Sequence, residues 1–514
     1  MRRPPRHPGR HPVKHAGQGR DVARLLADFG HDLPTVPAQV AATKEPRLFH
    51  HASPRGRPRA GRGWSPARAP VRAYRMTSDQ APVFWPFISA PGLPPTGAQM
   101  GINELSGASF YADPMGWVTD EHVPVTNPNI FVYGKPGRGK SGTVKAFCLR
   151  MMDFGYRTLV LGDPKDEYEK LCRALGVEPV TIGIGLSARI NPLAFGPLGQ
   201  HWGDLDGPET KRRAQIVFGR WLTLVRGLVG SQRIGAARVP FGPTDAQAVG
   251  AALRHLTGYT QGNSRLVETT IPALWEALAN PTKELVTECA YGSRRQFLDE
   301  TRLLRDALSQ LTTGHLAGMF DQATNIALDW RAPIQSLSLR HLEPLGDEAM
   351  GIALTCLNSW GRGMREMAEP GDLRICVRDE SWKQLRLGPE AVKSFDSDLR
   401  LSRSAGDIQI AVAHKPSDPM SAGDVGSQAV AIARDMIHLA DIQVLHGQDA
   451  AVGDELAALL DLGPMARTLI TGWAMGGTGR ALWRVGDGLY KVQTVLHPAE
   501  ARITYTNDAI DGAL

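Results

Sequence analysis

Residues 127–147 of this 514-residue chain read "NPNIFVYGKPGRGKSGTVKAF" and give the clearest indication of its fold. The centre of this stretch, Gly134 to Ser141, reads "GKPGRGKS" and matches the pattern GxxxxGK[ST]. In such a loop, glycines let backbone N–H groups turn inward around a polyphosphate. The lysine reaches the β- and γ-phosphates, and the serine hydroxyl ligates Mg²⁺. An apolar run precedes the loop and an amphipathic stretch follows it, so the sequence predicts nucleotide binding.

The residues predicted to hold the nucleotide belong to this loop and to the start of the next helix, whose positive N-terminus points at the same anion. They are Gly134, Pro136, Gly137, Arg138, Gly139, Lys140, Ser141 and Gly142. We expect Lys140 to contact phosphate and Ser141 to ligate Mg²⁺. A glycine-rich surface loop is the alternative, and the flanking strand and helix argue against it.

A second apolar run ends in two adjacent carboxylates, Asp379 and Glu380, within "RICVRDESWKQL". Taken alone, this pattern indicates a strand that surfaces where a solvated helix begins. A P-loop protein, however, needs an acid at the end of a strand beside the loop. Asp379 is therefore predicted to hold the Mg²⁺ shell, and Glu380 to orient and polarise the attacking water. Two adjacent acids suit hydrolysis better than phosphoryl transfer to a second substrate.

Apolar runs alternate with helical stretches along most of the chain, which is typical of an α/β fold. Strands are predicted at 130–133, 158–162, 179–182, 373–377 and 408–413, and helices at 142–153, 347–367 and 390–404. This alternation predicts a mostly parallel sheet with helices on both faces. Between about 200 and 312 the apolar spacing changes to three and four residues, which predicts a helical insertion with almost no strand.

The chain is expected to divide into five segments: a disordered basic tail (1–75), a Pro/Gly-rich lead-in with a short hairpin (76–126), a first part of the P-loop core (127–199), the helical insertion (200–312), and a second part of the core with C-terminal strands and helices (313–514). Two interpretations of the tail stay open. It is a polyanion-binding arm, or it is translated upstream sequence and the natural start is Met76.

The basic charge lies in the tail. Residues 1–80 hold 16 Lys+Arg against 5 Asp+Glu, whereas the whole chain carries a net charge of +6, so the remainder is mildly acidic. Any electrostatic case for nucleic acid therefore rests on the tail alone.

The cysteines and the hydropathy pattern favour a cytoplasmic protein. No apolar stretch approaches the roughly 18 residues of a membrane span, and no secretory leader is recognisable. The five cysteines are scattered, which favours reduced, buried thiols over a disulfide framework or a zinc site. They are Cys148, Cys172, Cys289, Cys356 and Cys376.

Taken together, the segments resemble the assembly ATPases of type IV secretion and conjugative transfer, the VirB and TraC type within the HerA/FtsK-like P-loop motors. The resemblance spans roughly residues 105–500. It rests on the order of "NPNIFVYGKPGRGKSGTVKAF", "LGDPKDEYEKL", "ARINPL", "LAGMFDQATN", "VRDESWKQL" and "DSDLRLSRSAGDIQIAVAHKPSD". It implies a RecA-like P-loop NTPase that uses ATP and Mg²⁺ and forms a ring, expected to be a hexamer. It also implies docking on inner-membrane components of the apparatus.

The resemblance extends to four further site residues. Asp163 and Glu167 match a "DPxxE" element that lines the nucleotide pocket; acids that favour a helix N-terminus are the alternative. Arg400 and Arg403 match a helix whose arginine reaches the neighbouring subunit's nucleotide, where positive charge stabilises developing phosphate charge. A solvated helix face is the alternative for these two.

Two residues depart from the family's pattern. Arg378 stands where an apolar residue is usual; it pairs with Asp379 or a phosphate, or it simply leaves the strand end. His414 stands where a polar sensor such as glutamine is usual; it hydrogen-bonds the γ-phosphate or water of a bound nucleotide, or it is a buried structural histidine. Both residues bear on the efficiency of hydrolysis. The resemblance also implies that the last strands pack near the nucleotide. Arg480 and Arg484 would then approach phosphate there, unless they are surface charges.

Three functions stay open. The first is an ATP-hydrolysing motor that energises a conjugative-transfer or type IV secretion-like apparatus. The second is a DNA-translocating motor of the same superfamily, although the acidic motor domain carries no evident DNA-binding module. The third is a nucleotide-gated scaffold with little turnover.

Overall fold

The computed structural model describes residues 92–505, apart from gaps at 184, 200–201, 236, 260–265, 314–316, 327–328, 330, 367–370, 381–384, 386–388 and 421–427. The predicted disordered tail and the start of the lead-in lie outside the described residues. Within the described part of the chain, no helix is both long enough and apolar enough to cross a membrane.

The strands of the described residues share one large sheet, apart from a small hairpin. They are β1 (Ala98–Asn103), β2 (Ala108–Ala112), β3 (Ile130–Tyr133), β4 (Tyr156–Asp163), β5 (Val180–Thr181), β6 (Arg233–Ile234), β7 (Ala237–Arg238), β8 (Ile334–Ser338), β9 (Leu373–Arg378), β10 (Asp407–Ala413), β11 (Ile442–His446), β12 (Arg480–Val485) and β13 (Gly488–Thr494).

The large sheet has eleven described strands in the order β2-β1-β13-β12-β11-β3-β10-β9-β4-β8-β5. The seven strands from β11 to β5 are parallel to one another. The remaining four add to one edge as antiparallel strands. The predicted mostly parallel central sheet is therefore confirmed.

The central strands are apolar because both of their faces are covered. Every residue of β3 and of β10 is buried, as expected of parallel strands that lie between two layers of helices. Within the segment expected to be a lead-in with a short hairpin, β1 and β2 pair as antiparallel neighbours. β1 also pairs with β13, which comes from the other end of the chain, so only the structure shows that this segment joins the large sheet.

The helices of the described residues cover both faces of the sheet. They are α1 (Pro114–Thr119), α2 (Lys140–Met151), α3 (Glu169–Ala174), α4 (Gly207–Ser231), α5 (Pro243–Thr257), α6 (Ile271–Ala279), α7 (Lys283–Glu288), α8 (Arg294–Glu300), α9 (Arg302–Thr312), α10 (Gly346–Glu366), α11 (Pro389–Ala405), α12 (Ser417–Met420), α13 (Gln428–His438), α14 (Ala450–Leu459), α15 (Pro464–Thr468) and α16 (Pro498–Thr504).

Alternate residues of β10 show how the two faces are filled. Ile410 and Val412 pack with Val144 and Phe147 of α2, whereas Ala411 packs with Phe395 of α11 on the other face. The sheet is thus covered by helices on both faces. Helix α2, on one of them, contains the residues that follow the glycine-rich loop.

Helices α4 to α9 lie between β5 and β8 and form the predicted helical insertion. The sequence predicted almost no strand there, and the described residues add one short hairpin, β6 and β7. The longest helix, α4, begins where the Asp206 side chain accepts a 2.7 Å hydrogen bond from the N–H of Glu209. Capping of this kind satisfies a backbone donor that the helix itself leaves unpaired.

Candidate functional site

The glycine-rich loop follows β3 and ends where α2 begins, at Lys140. Gly137 and Gly139 have φ angles of +75° and +92°, a left-handed conformation that glycine adopts at little cost. A Cβ atom at Gly139 would lie 2.7 Å from the backbone nitrogen of Gly479. The Gly479 N–H donates a 3.1 Å hydrogen bond to the carbonyl of Arg138. The loop is therefore held in shape by a segment near the end of the chain.

Lys140 is buried at the centre of the loop. Its Nζ atom donates a 2.6 Å hydrogen bond to the carbonyl of Gly134 and lies 3.3 Å from Nδ1 of His414. Burial lowers the pKa of Lys140, and the nearby carboxylates of Asp379 and Glu380 oppose that shift. A polyphosphate in the loop would give this ammonium group an anionic partner. Such a charge-assisted hydrogen bond is stronger than the one to the neutral backbone carbonyl.

Glu380 is held by two cationic or polar side chains. Its Oε1 atom accepts a hydrogen bond from Nζ of Lys165 and lies 3.1 Å from Nε2 of His414. Burial alone would raise the pKa of Glu380, but the hydrogen bonds from His414 and Lys165 outweigh burial and hold that pKa well below its usual range. Glu380 is therefore ionised at neutral pH, as a group that polarises water must be. Its φ angle of +51° is uncommon for a residue with a side chain.

Asp379 lies where negative charge is in excess. Burial, followed by the neighbouring carboxylates of Glu167 and Glu380, raises the pKa of Asp379 to about 7. A divalent cation would relieve this repulsion. Ser141 and Asp379 line the same cavity and provide one hydroxyl and one carboxylate, a set that Mg²⁺ accepts when phosphate and water complete its octahedron.

The described residues contain no cluster of three or more His, Cys, Asp and Glu side chains that could hold a metal ion.

The loop and the acids face one cavity of about 440 Å³, a volume within the usual range for small-molecule sites. The predicted site residues that line it are Pro136, Gly137, Gly139, Lys140, Ser141, Gly142, Glu167, Asp379, Glu380 and His414. The C-terminal part of the chain supplies another wall, which consists of Thr478, Gly479, Thr494, Leu496, Ala501, Thr504 and Tyr505. The last strands thus lie beside the loop, although none of these seven wall residues was predicted.

The two acids of the "DPxxE" element occupy different places. Asp163 does not line the cavity; its carboxylate accepts hydrogen bonds from the backbone N–H groups of Lys165, Glu167 and Tyr168 at 3.3, 2.9 and 2.8 Å. Burial raises the pKa of Asp163 to about 6. Glu167 does line the cavity, and its Oε2 atom lies 3.6 Å from Nζ of the fully buried Lys145. Asp163 thus shapes the turn, and Glu167 adds charge to the cavity.

Sequence reasoning overlooked three residues of the site: Lys165, Lys145 and His446. Lys165 lies inside the "DPKDE" segment, so its position between the two predicted acids was a usable signal. His446 ends β11 and is fully buried; a Cβ atom at Gly134 would lie 2.6 Å from its own Cβ. Burial, followed by the charge of Lys140, lowers the pKa of His446 to about 3. It is therefore a neutral wall of the loop.

Three predicted arginines do not line this cavity. Arg138 turns away, and its Nη1 atom donates a 2.9 Å hydrogen bond to the carbonyl of Met475. Arg400 pairs with Asp396 on α11 at 2.9 Å, and Arg403 is exposed in the last turn of that helix. Helix α11 ends just before β10 begins, whereas the loop and acids follow the other ends of the parallel strands. Arg400 and Arg403 therefore lie at the opposite edge of the sheet from the nucleotide cavity of their own chain. They could contact only a nucleotide bound to a second subunit.

The remaining arginines named from the sequence are also engaged elsewhere. Arg378 does not pair with Asp379 but with an aspartate of α11. Arg480 donates to Gln493 at 3.2 Å, and Arg484 donates to Gln443 at 3.4 Å. None of the three lines the cavity.

No protein-family model and no curated protein matches the sequence. Among solved structures, VirB4 of Thermoanaerobacter pseudethanolicus matches 81% of this chain and 100% of that chain, with a TM-score of 0.62 and 18% identity. The unbound monoclinic form of the bacterial conjugative coupling protein TrwBdeltaN70 matches 79% of this chain and 92% of its own, with a TM-score of 0.50 and 14% identity.

The plasmid coupling protein TrwB in complex with the non-hydrolysable ATP analogue ADPNP matches the same shares, 79% and 92%, with a TM-score of 0.52 and 13% identity. The expected resemblance to type IV secretion and conjugation P-loop proteins is therefore confirmed at the level of the fold.

Proposed function

We propose that this chain is an ATP-hydrolysing motor that energises a conjugative-transfer or type IV secretion-like apparatus. One observation carries the proposal: Lys140 and Ser141 share a single cavity with Asp379 and Glu380. This set combines phosphate binding, metal binding and activation of water. The likeness in fold to VirB4 and TrwB supports the assignment to this kind of apparatus.

The residues divide the chemistry among themselves. Loop N–H groups and the N-terminus of α2 bind the phosphates, and Lys140 exchanges its backbone carbonyl partner for phosphate oxygens. Ser141 and Asp379 hold Mg²⁺, which when bound neutralises phosphate charge. Glu380 orients the attacking water. His414 contacts both Lys140 and Glu380. It therefore links Glu380 to the movement of Lys140 from its carbonyl partner to the phosphate.

The proposal includes a ring, expected to be a hexamer, in which α11 of one subunit meets the nucleotide of the next. The exposed position of Arg403 and the surface pairing of Arg400 are compatible with this role. The ring would dock on inner-membrane secretion or conjugation components. Arg403→Ala should then abolish most turnover and leave nucleotide affinity unchanged, because the arginine acts on a neighbour.

The test is steady-state ATP hydrolysis by the full chain, with nucleotide affinity measured in parallel. Glu380→Gln should lower turnover about 10²–10⁴-fold, the usual contribution of a general base, and still bind ATP. Lys140→Ala should lose nucleotide affinity. Glu121→Gln is the matched control, because its side chain is 88% exposed. If the wild type binds ATP but does not hydrolyse it even at high protein concentration, a nucleotide-gated scaffold replaces this proposal.

A DNA-translocating motor is the second candidate, because the fold is also similar to a conjugative coupling protein. The same assay should be run with and without double-stranded DNA. We expect no change in turnover. Several-fold stimulation by DNA would favour the translocating motor instead.

A further inference from the structure

A second cavity, of about 580 Å³, lies between the helical insertion and the core and shares no lining residue with the P-loop cavity. Helix α4 forms one wall, and α10 and α11 form the other. The segment that follows β7 closes one side. The cavity therefore lies where two parts of the fold meet, a common position for ligand sites.

The charge of this cavity is positive. Four arginines line it, whereas no aspartate or glutamate is among its described lining residues. One of the four, Arg362, is paired with Asp398, so the positive charge of the lining comes from the other three. The arginines are Arg220, Arg226, Arg238 and Arg362. By contrast, the P-loop cavity contains two lysines together with three carboxylates, namely those of Glu167, Asp379 and Glu380. The lining thus favours an anion, since arginine binds phosphate and carboxylate oxygens in a fixed fork geometry.

Two buried polar atoms on α10 lack a hydrogen-bond partner at this cavity. Asn358 and Ser359 line it and are 3% and 7% exposed. Neither Oδ1 of Asn358 nor Oγ of Ser359 has a partner in the described structure. Leaving such a group unpaired costs about 1–3 kcal/mol. A ligand that carries both a donor and an acceptor would satisfy these two atoms.

Three glycines of α4 leave room in the cavity: Gly219, Gly227 and Gly230. A glycine inside a helix costs roughly 0.5–1 kcal/mol relative to alanine. Packing does not require two of them, because a Cβ atom at Gly219 or Gly230 would meet no atom within 4 Å. They keep the cavity open and let a ligand approach the helix backbone.

The cavity also has an apolar side. Phe241 lines it, and the Arg226 guanidinium lies 5.7 Å from the centre of that ring. Leu224 and Val239 line it as well. An organic anion with a hydrophobic body matches this chemistry. The cavity volume lies within the usual range for small-molecule sites.

We propose that this cavity binds a small phosphate-bearing organic anion. Arg220, Arg226 and Arg238 bind the phosphate. Asn358 and Ser359 bind the polar edge of the body, and Phe241 with its apolar neighbours contacts the rest. A nucleoside monophosphate and a sugar phosphate share this chemistry. The proposal does not rest on ATP hydrolysis.

The test is calorimetric titration of the full chain with AMP and, separately, with ribose 5-phosphate, in the presence of saturating ADP and Mg²⁺. ADP occupies the P-loop cavity, so the titration reports only the second site. At least one probe should bind once per chain. Arg226→Glu reverses an exposed charge at the cavity, and Gly219→Phe fills its open space, so each should weaken binding at least tenfold.

Lys211→Glu is the control, because Lys211 is an exposed cation on α4 that does not line the cavity. It should bind the probe like the wild type. Unchanged ADP affinity in all three variants shows that they are folded. Absence of heat with both probes, or equal binding in all variants, would overturn the proposal. A third outcome would also overturn it: neither probe binds, but a short single-stranded DNA binds to the wild type and not to the two cavity variants.

Discussion

Arg378 and Asp398 form a buried ion pair directly behind the two acids of the P-loop site. Nη2 of Arg378 lies 2.7 Å from Oδ2 of Asp398, and the side chains are 3% and 2% exposed. Arg378 immediately precedes Asp379 on β9, and Asp398 belongs to α11. The other oxygen of Asp398 accepts a 3.1 Å hydrogen bond from Arg362 of α10. One aspartate therefore ties the strand that ends in the acids to two helices.

Loss of this pair should destabilise the protein strongly. Arg378→Met leaves a buried carboxylate with one partner fewer, and breaking a buried pair in this way costs about 3–5 kcal/mol. Arg400→Met breaks an ion pair on the same helix whose arginine side chain is 54% exposed, and such a pair contributes only about 0–1 kcal/mol. Urea unfolding of both variants measures the difference. Equal losses would show that burial does not matter here.

Lys165 should set the acid limb of the pH–rate profile. Its hydrogen bond helps to hold the pKa of Glu380 below the usual range, against the effect of burial. Lys165→Met removes that support, so the pKa of Glu380 should rise and the carboxylate should become protonated at a higher pH. The acid limb of kcat should then move to higher pH. Above pH 8, where Glu380 is ionised in both proteins, the variant should lose less turnover relative to the wild type than it loses at low pH. Lys211→Met should leave the limb in place; a limb equally unmoved in Lys165→Met would contradict this role.

The two glycines that flank Lys140 and Ser141 should respond differently to alanine. Gly139 has a φ of +92°, and its Cβ would lie 2.7 Å from a backbone nitrogen. Gly142 lies within α2, and a Cβ there would meet no atom within 4 Å. Gly139→Ala should therefore raise the Kd for ADP at least tenfold. Gly142→Ala adds a methyl group to a residue that lines the cavity but displaces no protein atom, so it should weaken ADP binding less than Gly139→Ala. It should also be slightly more stable than the wild type, by up to about 1 kcal/mol. Fluorescent-nucleotide titration checks both.

His446 should make stability fall at mildly acidic pH. Its folded pKa is about 3, against 6.5 for an ordinary histidine. Between these values the unfolded chain binds a proton that the folded protein does not, so stability is lost as pH falls below 6.5. The loss at pH 5 should be about 2 kcal/mol.

Replacing His446 removes this contribution. His446→Asn should lose about 2 kcal/mol less stability than the wild type between pH 7.5 and pH 5, whatever its absolute stability. His438→Asn, at an exposed position of α13, should keep the wild-type slope. If His446→Asn also keeps that slope, another group causes the acid sensitivity.

The parts of the fold that the sequence predicted are those with local signals. The loop at 134–141 needs its glycines, lysine and serine at fixed spacing. The strands β3, β9 and β10 are buried on both faces, so they read as continuous apolar runs between helices. For the same reason Asp379 and Glu380 could be recognised at the end of such a run, and both line the cavity with the loop.

The P-loop, the parallel core and the helical insertion could thus be predicted from the sequence, because short-range spacing and continuous burial suffice for each. Which groups control the acids, and where the arginines point, depends instead on tertiary contacts. Lys165 meets Glu380 across 215 residues of chain. The N–H of Gly479 reaches the carbonyl of Arg138 only because β12 and β13 pair beside β11, close to the P-loop strand β3. Arg378 alternates away from Asp379, since successive side chains of a strand point to opposite faces. Such contacts arise from strand order and pairing, which no local stretch of sequence records.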